Sequence, residues 1–147
     1  MIDPLATALA TLPHGPEFRF IDRLERLVPG REGVGEYRVR GDEPFLRGHF
    51  PGEPILPGVI MLEAVAQLAG VVAQSDPAIP PSPALRLAAL RSVKILGVVR
   101  PGETLRVEAS VTGRLGGLIQ ASATARVDGV LVLSADVTLA GGAAVPS

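Results

Sequence analysis

Residues 58–75 constrain the chain more than any other segment. From Gly58 to Ser75 the run reads Gly-Val-Ile-Met-Leu-Glu-Ala-Val-Ala-Gln-Leu-Ala-Gly-Val-Val-Ala-Gln-Ser. Pro57 stands at its start, where proline is tolerated in a helix. Wound as a helix, the run is apolar on nearly every side, and such a helix has to be buried. It is not a membrane span: Val59–Ala73 is only about 15 residues, carries Glu63 and Gln67, and a span needs about 20. The expectation is a core helix with a sheet against one side and a second subunit covering more. Its polar exceptions, Glu63, Gln67 and Gln74, fall on one stripe.

The rest of the sequence supplies the sheet. Phe18–Val28 is strand-like, and Val34–Arg40 alternates apolar and polar residues. Leu85–Val99 is a long apolar segment that ends at Pro101-Gly102. Leu105, Val107, Ala109 and Val111 alternate with Arg106, Glu108, Ser110 and Thr112. Gly116-Gly117 reads as a hairpin, Ile119–Val127 alternates again, and Asp128-Gly129 is the dipeptide of a type I′ turn before a last strand, Val130–Leu139. Residues 1–12 read as a short helix with Leu5, Ala8, Leu9 and Leu12 on one face, broken by Pro13 and Pro16. Residues 141–147 read as a frayed tail. The pattern predicts one α+β domain over residues 1–147, a long helix packed on about five or six antiparallel strands.

Composition narrows the function. With 47% hydrophobic and 20% charged residues the chain is globular, not disordered. A net charge of −1, four phenylalanines and one tyrosine leave nothing to neutralise phosphates or stack on bases, so nucleic-acid binding is not expected. The absence of cysteine removes disulfides, thiolate metal sites and a cysteine nucleophile. Two histidines are too few for a histidine-based metal cluster. The N-terminus lacks a basic region, so the expectation is a cytoplasmic protein with no membrane span.

Three residues carry candidate chemistry. His49 sits in residues 41–58, where Pro44, Pro51, Pro54 and Pro57 and four glycines rule out a long helix or a central strand. It is either an exposed or hydrogen-bonded loop histidine, or a general base. Glu63 either faces solvent on its polar stripe, or is a carboxyl that apolar surroundings favour in its protonated form, able to act as a general acid. Gly58 opens the helix, where free N–H groups and the helix dipole favour developing negative charge and a glycine permits close approach. One base, one acid and one N–H donor suffice for proton abstraction next to a carbonyl. His14 lies in a Pro/Gly turn and reads as structural, and Asp22 is expected to pair with Arg23 or a loop donor.

The run His49-Phe50-Pro51-Gly52-Glu53-Pro54-Ile55-Leu56-Pro57-Gly58-Val59, followed by Leu62-Glu63-Ala64 and Ala66-Gln67, closely resembles the 3-hydroxyacyl-acyl-carrier-protein dehydratases of FabZ type. Leu12-Pro13-His14, Ile21-Asp22-Arg23, Arg100-Pro101-Gly102-Glu103 and Val127-Asp128-Gly129 extend the resemblance along the domain. It implies a hot-dog fold, a long central helix wrapped by an antiparallel sheet, working as a homodimer and in many members as a trimer of dimers. It implies removal of water from a 3-hydroxyacyl thioester on acyl carrier protein to give the trans-2-enoyl thioester, within fatty-acid or related acyl-chain biosynthesis. By position, His49 takes the C2 proton, Glu63 of the partner subunit protonates the leaving hydroxyl, the Gly58 N–H polarises the thioester carbonyl, and Gln67 orients Glu63. No cofactor is implied beyond the phosphopantetheine of the carrier.

A branch that also isomerises the product carries Asp at the position of Glu63, so simple dehydration is the implied activity. The chain departs from the pattern at Arg86, Leu87 and Ile95, where aromatic residues are usual, at Arg19, and at Lys94 and Gly97, where a basic pair is usual. These positions bear on chain length and carrier docking. The competing readings are another hot-dog enzyme, an enoyl hydratase or thioesterase, and a non-catalytic acyl-binding or scaffold subunit.

Overall fold

The computed structural model describes residues 3–82 and 85–141. A short helix α1 (Pro4–Leu9) is followed by strands β1 (Arg23–Val28) and β2 (Glu32–Arg38), the long helix α2 (Gly58–Gln74), and strands β3 (Arg86–Ile95), β4 (Thr104–Leu115), β5 (Leu118–Val127) and β6 (Val130–Ala140). The strands form one antiparallel sheet in the order β1-β2-β4-β5-β6-β3. α2 packs on its concave face, the expected hot-dog arrangement. Among the described residues no helix is long and apolar enough to cross a membrane.

Strict alternation decides which face of the sheet is inside. Along β5, Ile119, Ala121, Ala123, Ala125 and Val127 are buried while the residues between them are more exposed. Val107 and Ala109 of β4 and Leu133, Ala135, Val137 and Leu139 of β6 join them in the core. The small side chains in this set let the helix lie close to the sheet. Its Met61, Val65, Leu68, Val71 and Val72 fill the space between, and each such side chain taken out of water contributes about 1.5–3 kcal/mol. Irregular register at Leu24/Arg26, Val111/Gly113, Ala125/Arg126 and twice in β3 bends the strands around α2. At the β5–β6 turn, Asp128 and Gly129 both have positive φ, 49° and 79°, as a type I′ turn requires.

The ends of α2 are defined differently. Pro57 precedes it in extended conformation, and no side chain caps its first N–H groups. At the other end the Ser75 hydroxyl donates to the Val72 carbonyl, and Arg114 donates to the Ala73 carbonyl at 2.8 Å. The helix stops at Ser75, where the sequence puts its end.

Several expectations need correction. The segment before β1 is not a strand from Phe18: Pro16–Phe18 is a 3₁₀ turn and pairing starts at Arg23, because the Phe18 and Phe20 backbone groups bond a helix side chain instead. Leu85–Val99 forms a ladder only as far as Ile95. Beyond it the chain turns to meet the start of α2, with the Leu56 N–H donating to the Val99 carbonyl at 2.8 Å. α1 is shorter than 1–12, and residues 1–2 lie outside those described. The expected frayed tail lies outside them too, apart from Gly141, whose N–H donates to the Gly117 carbonyl.

Gly33 shows how tightly helix and sheet are matched. A Cβ at this position would lie 2.8 Å from Val72 Cγ2, inside the closest contact carbon atoms tolerate. Gly33→Ala is therefore expected to cost about 1–3 kcal/mol by overpacking, read as a lower midpoint in urea unfolding with little change in slope.

Candidate active site

His49 is held by backbone on both sides. It closes the 3₁₀ turn Pro44–Gly48, with its N–H donating to the Leu46 carbonyl. The Ile55 N–H donates to the His49 carbonyl at 2.9 Å, and between them Phe50 and Glu53 exchange backbone hydrogen bonds around Gly52, whose φ is +79°. The peptide joining His49 to Phe50 is cis, and the two rings stack at 4.3 Å. The imidazole Nδ1 lies 3.1 Å from the Ile55 carbonyl oxygen. A carbonyl can only accept, so the ring hydrogen belongs on Nδ1, and Nε2 is left with a free lone pair. That is the tautomer a general base requires.

The start of this loop rests on Glu43. Its carboxylate accepts from the Tyr37 hydroxyl at 2.5 Å and from the Arg40 and Gly41 N–H groups. Burial acts to raise the Glu43 carboxyl, but these donors outweigh it and hold the group below the usual carboxylate range. Burial, then Glu43, pushes the Tyr37 hydroxyl above its usual range. Asp22 does not pair with Arg23. It accepts from the Arg38 N–H and the Arg40 guanidinium, both at 2.7 Å, while Arg23 turns to Glu36.

Glu63 lies elsewhere, on the exposed side of α2, in the wall of a pocket of about 310 Å³ between α2, the Thr11–His14 segment and the start of β3. Its side chain retains 25% exposure, so it is neither a fully solvated stripe residue nor a sealed carboxyl. Gln67, one turn on, is 2% exposed. Its carbonyl oxygen accepts from the Phe20 N–H at 2.9 Å; its amide nitrogen donates to the Phe18 carbonyl at 2.8 Å and to Glu63 Oε2 at 3.1 Å. His14, read from the sequence as a structural turn residue within the Leu12-Pro13-His14 run, brings Nε2 to 3.5 Å from the same Oε2. Its involvement has no signature in local sequence, because Gln67 is what folds residues 12–20 across the helix.

Gly58 is the first residue of α2, and its N–H has no backbone acceptor among the described residues. A Cβ here would meet Ile95 Cδ1 at 2.7 Å. Ile95, one of the atypical positions, therefore packs on the helix start, while Arg86 and Leu87 line the Glu63 pocket. Among the described residues no hydrogen bond or ion pair joins His49 to Glu63, and His49 is not part of the Glu63 pocket. Among the described residues no cluster of three or more His, Asp and Glu side chains is placed to hold a metal ion.

The family model for FabA-like domains matches residues 12–136. The chain belongs to this family. A protein of Roseiflexus sp. named 3-hydroxyacyl-[acyl-carrier-protein] dehydratase FabZ is 38% identical over 132 residues, 90% of this chain and 92% of that one. A protein of the same name from Chloroflexus aggregans is 44% identical over 103 residues, 70% of this chain and 71% of the relative. Among solved structures, a chain of the dehydratase heterocomplex ApeI:P of Xenorhabdus doucetiae superposes with a TM-score of 0.78 at 16% identity, over 95% of this chain and 92% of that one. Zebrafish thioesterase superfamily member 2 superposes at 0.68 and 17% identity, over 92% of this chain and 91% of that one. These two likenesses show a shared fold.

Within this FabA-like domain, Gln67 satisfies the buried Phe20 N–H and the part-buried Phe18 carbonyl, and it hydrogen-bonds Glu63. Gln67→Leu removes the partners of the Phe20 N–H and the Phe18 carbonyl together. At about 1–3 kcal/mol for the buried Phe20 N–H left unpaired and less for the part-buried Phe18 carbonyl, the variant is expected to lose about 1–4 kcal/mol of stability in thermal or denaturant unfolding.

Proposed function

We propose that the protein removes water from 3-hydroxyacyl thioesters carried on acyl carrier protein, giving trans-2-enoyl thioesters for acyl-chain biosynthesis in the cytoplasm. The observation that carries this reading is the shared name and activity of relatives 36–44% identical over most of the chain. The geometry supports it with groups suited to each step.

His49 Nε2 takes the proton from C2. The electrons of the broken C–H bond form the C2–C3 double bond as the C3–O bond breaks. Glu63 gives its proton to the departing oxygen, which leaves as water. Charge that develops on the thioester oxygen meets the Gly58 N–H and the positive end of α2. Gln67 steadies Glu63 throughout. Protons then return from His49 to Glu63 through solvent, so no cofactor is consumed.

The reading needs a second copy of the chain, because His49 and Glu63 stand apart in one. The free edge of β3 supports this: all ten of its residues are exposed, among them Leu87, Leu90, Val93 and Ile95. Phe50, Val59, Leu96 and Val98 continue the exposed apolar surface toward the start of α2. A bare apolar edge strand is a pairing surface, and two copies related by a twofold axis would cover both edges at once. In that homodimer each site takes His49 and Gly58 from one subunit and Glu63 from the other. Assembly of three such dimers is a further step of the same proposal. The acyl chain enters the pocket beside Glu63. Its walls include Leu12, Val71, Leu87 and Leu139 and, among the described residues, no phenylalanine or tyrosine.

His49→Ala and Glu63→Gln are each expected to lower turnover of 3-hydroxyacyl-carrier-protein thioesters by about 10²-fold or more, with unchanged circular dichroism. Light scattering is expected to give a dimer or a multiple of it. Near-wild-type turnover from either variant removes that residue from the mechanism, and an active, stable monomer removes the shared site.

A further inference from the structure

We propose that His14 is a positioning residue for Glu63, and that it selects which carboxyl oxygen delivers the proton. This rests on the reading of Glu63 as the acid. The observation is the crowding of one oxygen. Glu63 Oε2 accepts from Gln67 Nε2 at 3.1 Å and faces His14 Nε2 at 3.5 Å. Among the described residues Oε1 has no hydrogen-bond partner. A protonated carboxyl has one oxygen that donates and one that only accepts. The Gln67 donor on Oε2 and the approach of His14 Nε2 to the same oxygen mark it as the acceptor, so the transferable proton resides on Oε1.

The ring is built to present a donor there. His14 Nδ1 is buried with no hydrogen-bond partner. A buried N–H without an acceptor is the costlier orphan, so the hydrogen belongs on Nε2 and a lone pair on Nδ1. The turn itself is clamped. Arg19 donates through Nε to the His14 carbonyl at 2.8 Å and through its terminal nitrogen to the Leu12 carbonyl at 3.1 Å. The Phe18 ring stacks beneath the imidazole at 6.0 Å. Arg19, atypical for the resembling family, thus has a structural use here. The 3.5 Å gap closes with a small rotation of Glu63 when substrate enters, as catalytic hydrogen bonds commonly tighten on binding.

The consequence is differential. While Glu63 is protonated, the two donors meet a carbonyl-type oxygen. Once the proton has left, they meet a carboxylate, to which hydrogen bonds are about twice as strong. The pair therefore favours the products of the proton transfer over the reactants, and its loss lowers kcat and leaves substrate binding nearly untouched.

The test compares His14→Ala, His14→Asn and His14→Gln, each alone and His14→Ala also with Glu63→Gln, on a carrier-bound 3-hydroxyacyl thioester. Gln places an amide N–H near the position of imidazole Nε2, whereas the Asn amide is too short to reach it. We expect His14→Ala and His14→Asn to lose about tenfold or more in kcat with KM within about twofold, and His14→Gln to recover most of the rate. Added to Glu63→Gln, His14→Ala is expected to cost nothing further. A loss confined to KM, equal rates for the Asn and Gln variants, or a full additional loss on the Glu63→Gln background makes His14 a pocket wall and overturns the proposal. If Glu63→Gln alone turns over like wild type, the reading of Glu63 as the acid fails, and the inference fails with it for that separate reason.

Discussion

A single buried amide organises half of the site. α2 is so apolar that any polar side chain on its packed face must find partners inside the protein, and Gln67 finds three. Two are backbone groups of residues 18–20, which are thereby kept out of the sheet and laid across the helix. Phe20 then enters the core, edge-on to Tyr37 and Phe45, and the turn before it brings His14 over Glu63. The third partner is Glu63 itself. Fold and site are the same set of hydrogen bonds here: whatever disturbs Gln67 disturbs both.

The other half is organised by the loop between β2 and α2. Its entry is fixed by Glu43, its tip by the His49–Ile55 pair, and its exit by the Leu56 bond to Val99. These contacts orient the imidazole and deliver the chain to Gly58 with a free N–H. In the proposed reading the base and the N–H donor are thus both held by this loop. The proposed second copy would cover the exposed apolar edge of β3 and the apolar surface beside the loop. Oligomerisation in this account belongs to the chemistry and is more than a means of hiding surface.

How legible this was follows from the range of each interaction. α2 could be read because its pattern is continuous and its apolar residues leave no solvent face. β4, β5 and β6 could be read because alternation and turn dipeptides are local. Phe18–Asp22 was misread as strand because its partner, Gln67, is 47 residues beyond Phe20, and nothing local records it. Of the two partners expected for Asp22, Arg23 and a loop donor, the structure shows the second, Arg40 just beyond β2, while Arg23 turns to Glu36. The candidates His49, Glu63, Gly58 and Gln67 rest on motif resemblance as well as pattern. The proximity of His14 to Glu63 is not local either, because a turn residue meets a helix residue only when another segment is laid beside it.

The central claim is that one active site is assembled from two chains. The direct measurement uses mixed dimers of His49→Ala and Glu63→Gln chains, co-expressed with different tags and purified through both. If base and acid come from different chains, each mixed dimer holds one intact site and one site lacking both groups, and activity returns to about half that of wild type. If base and acid act within one chain, every site in the mixed dimer is defective, and it stays as inactive as either parent.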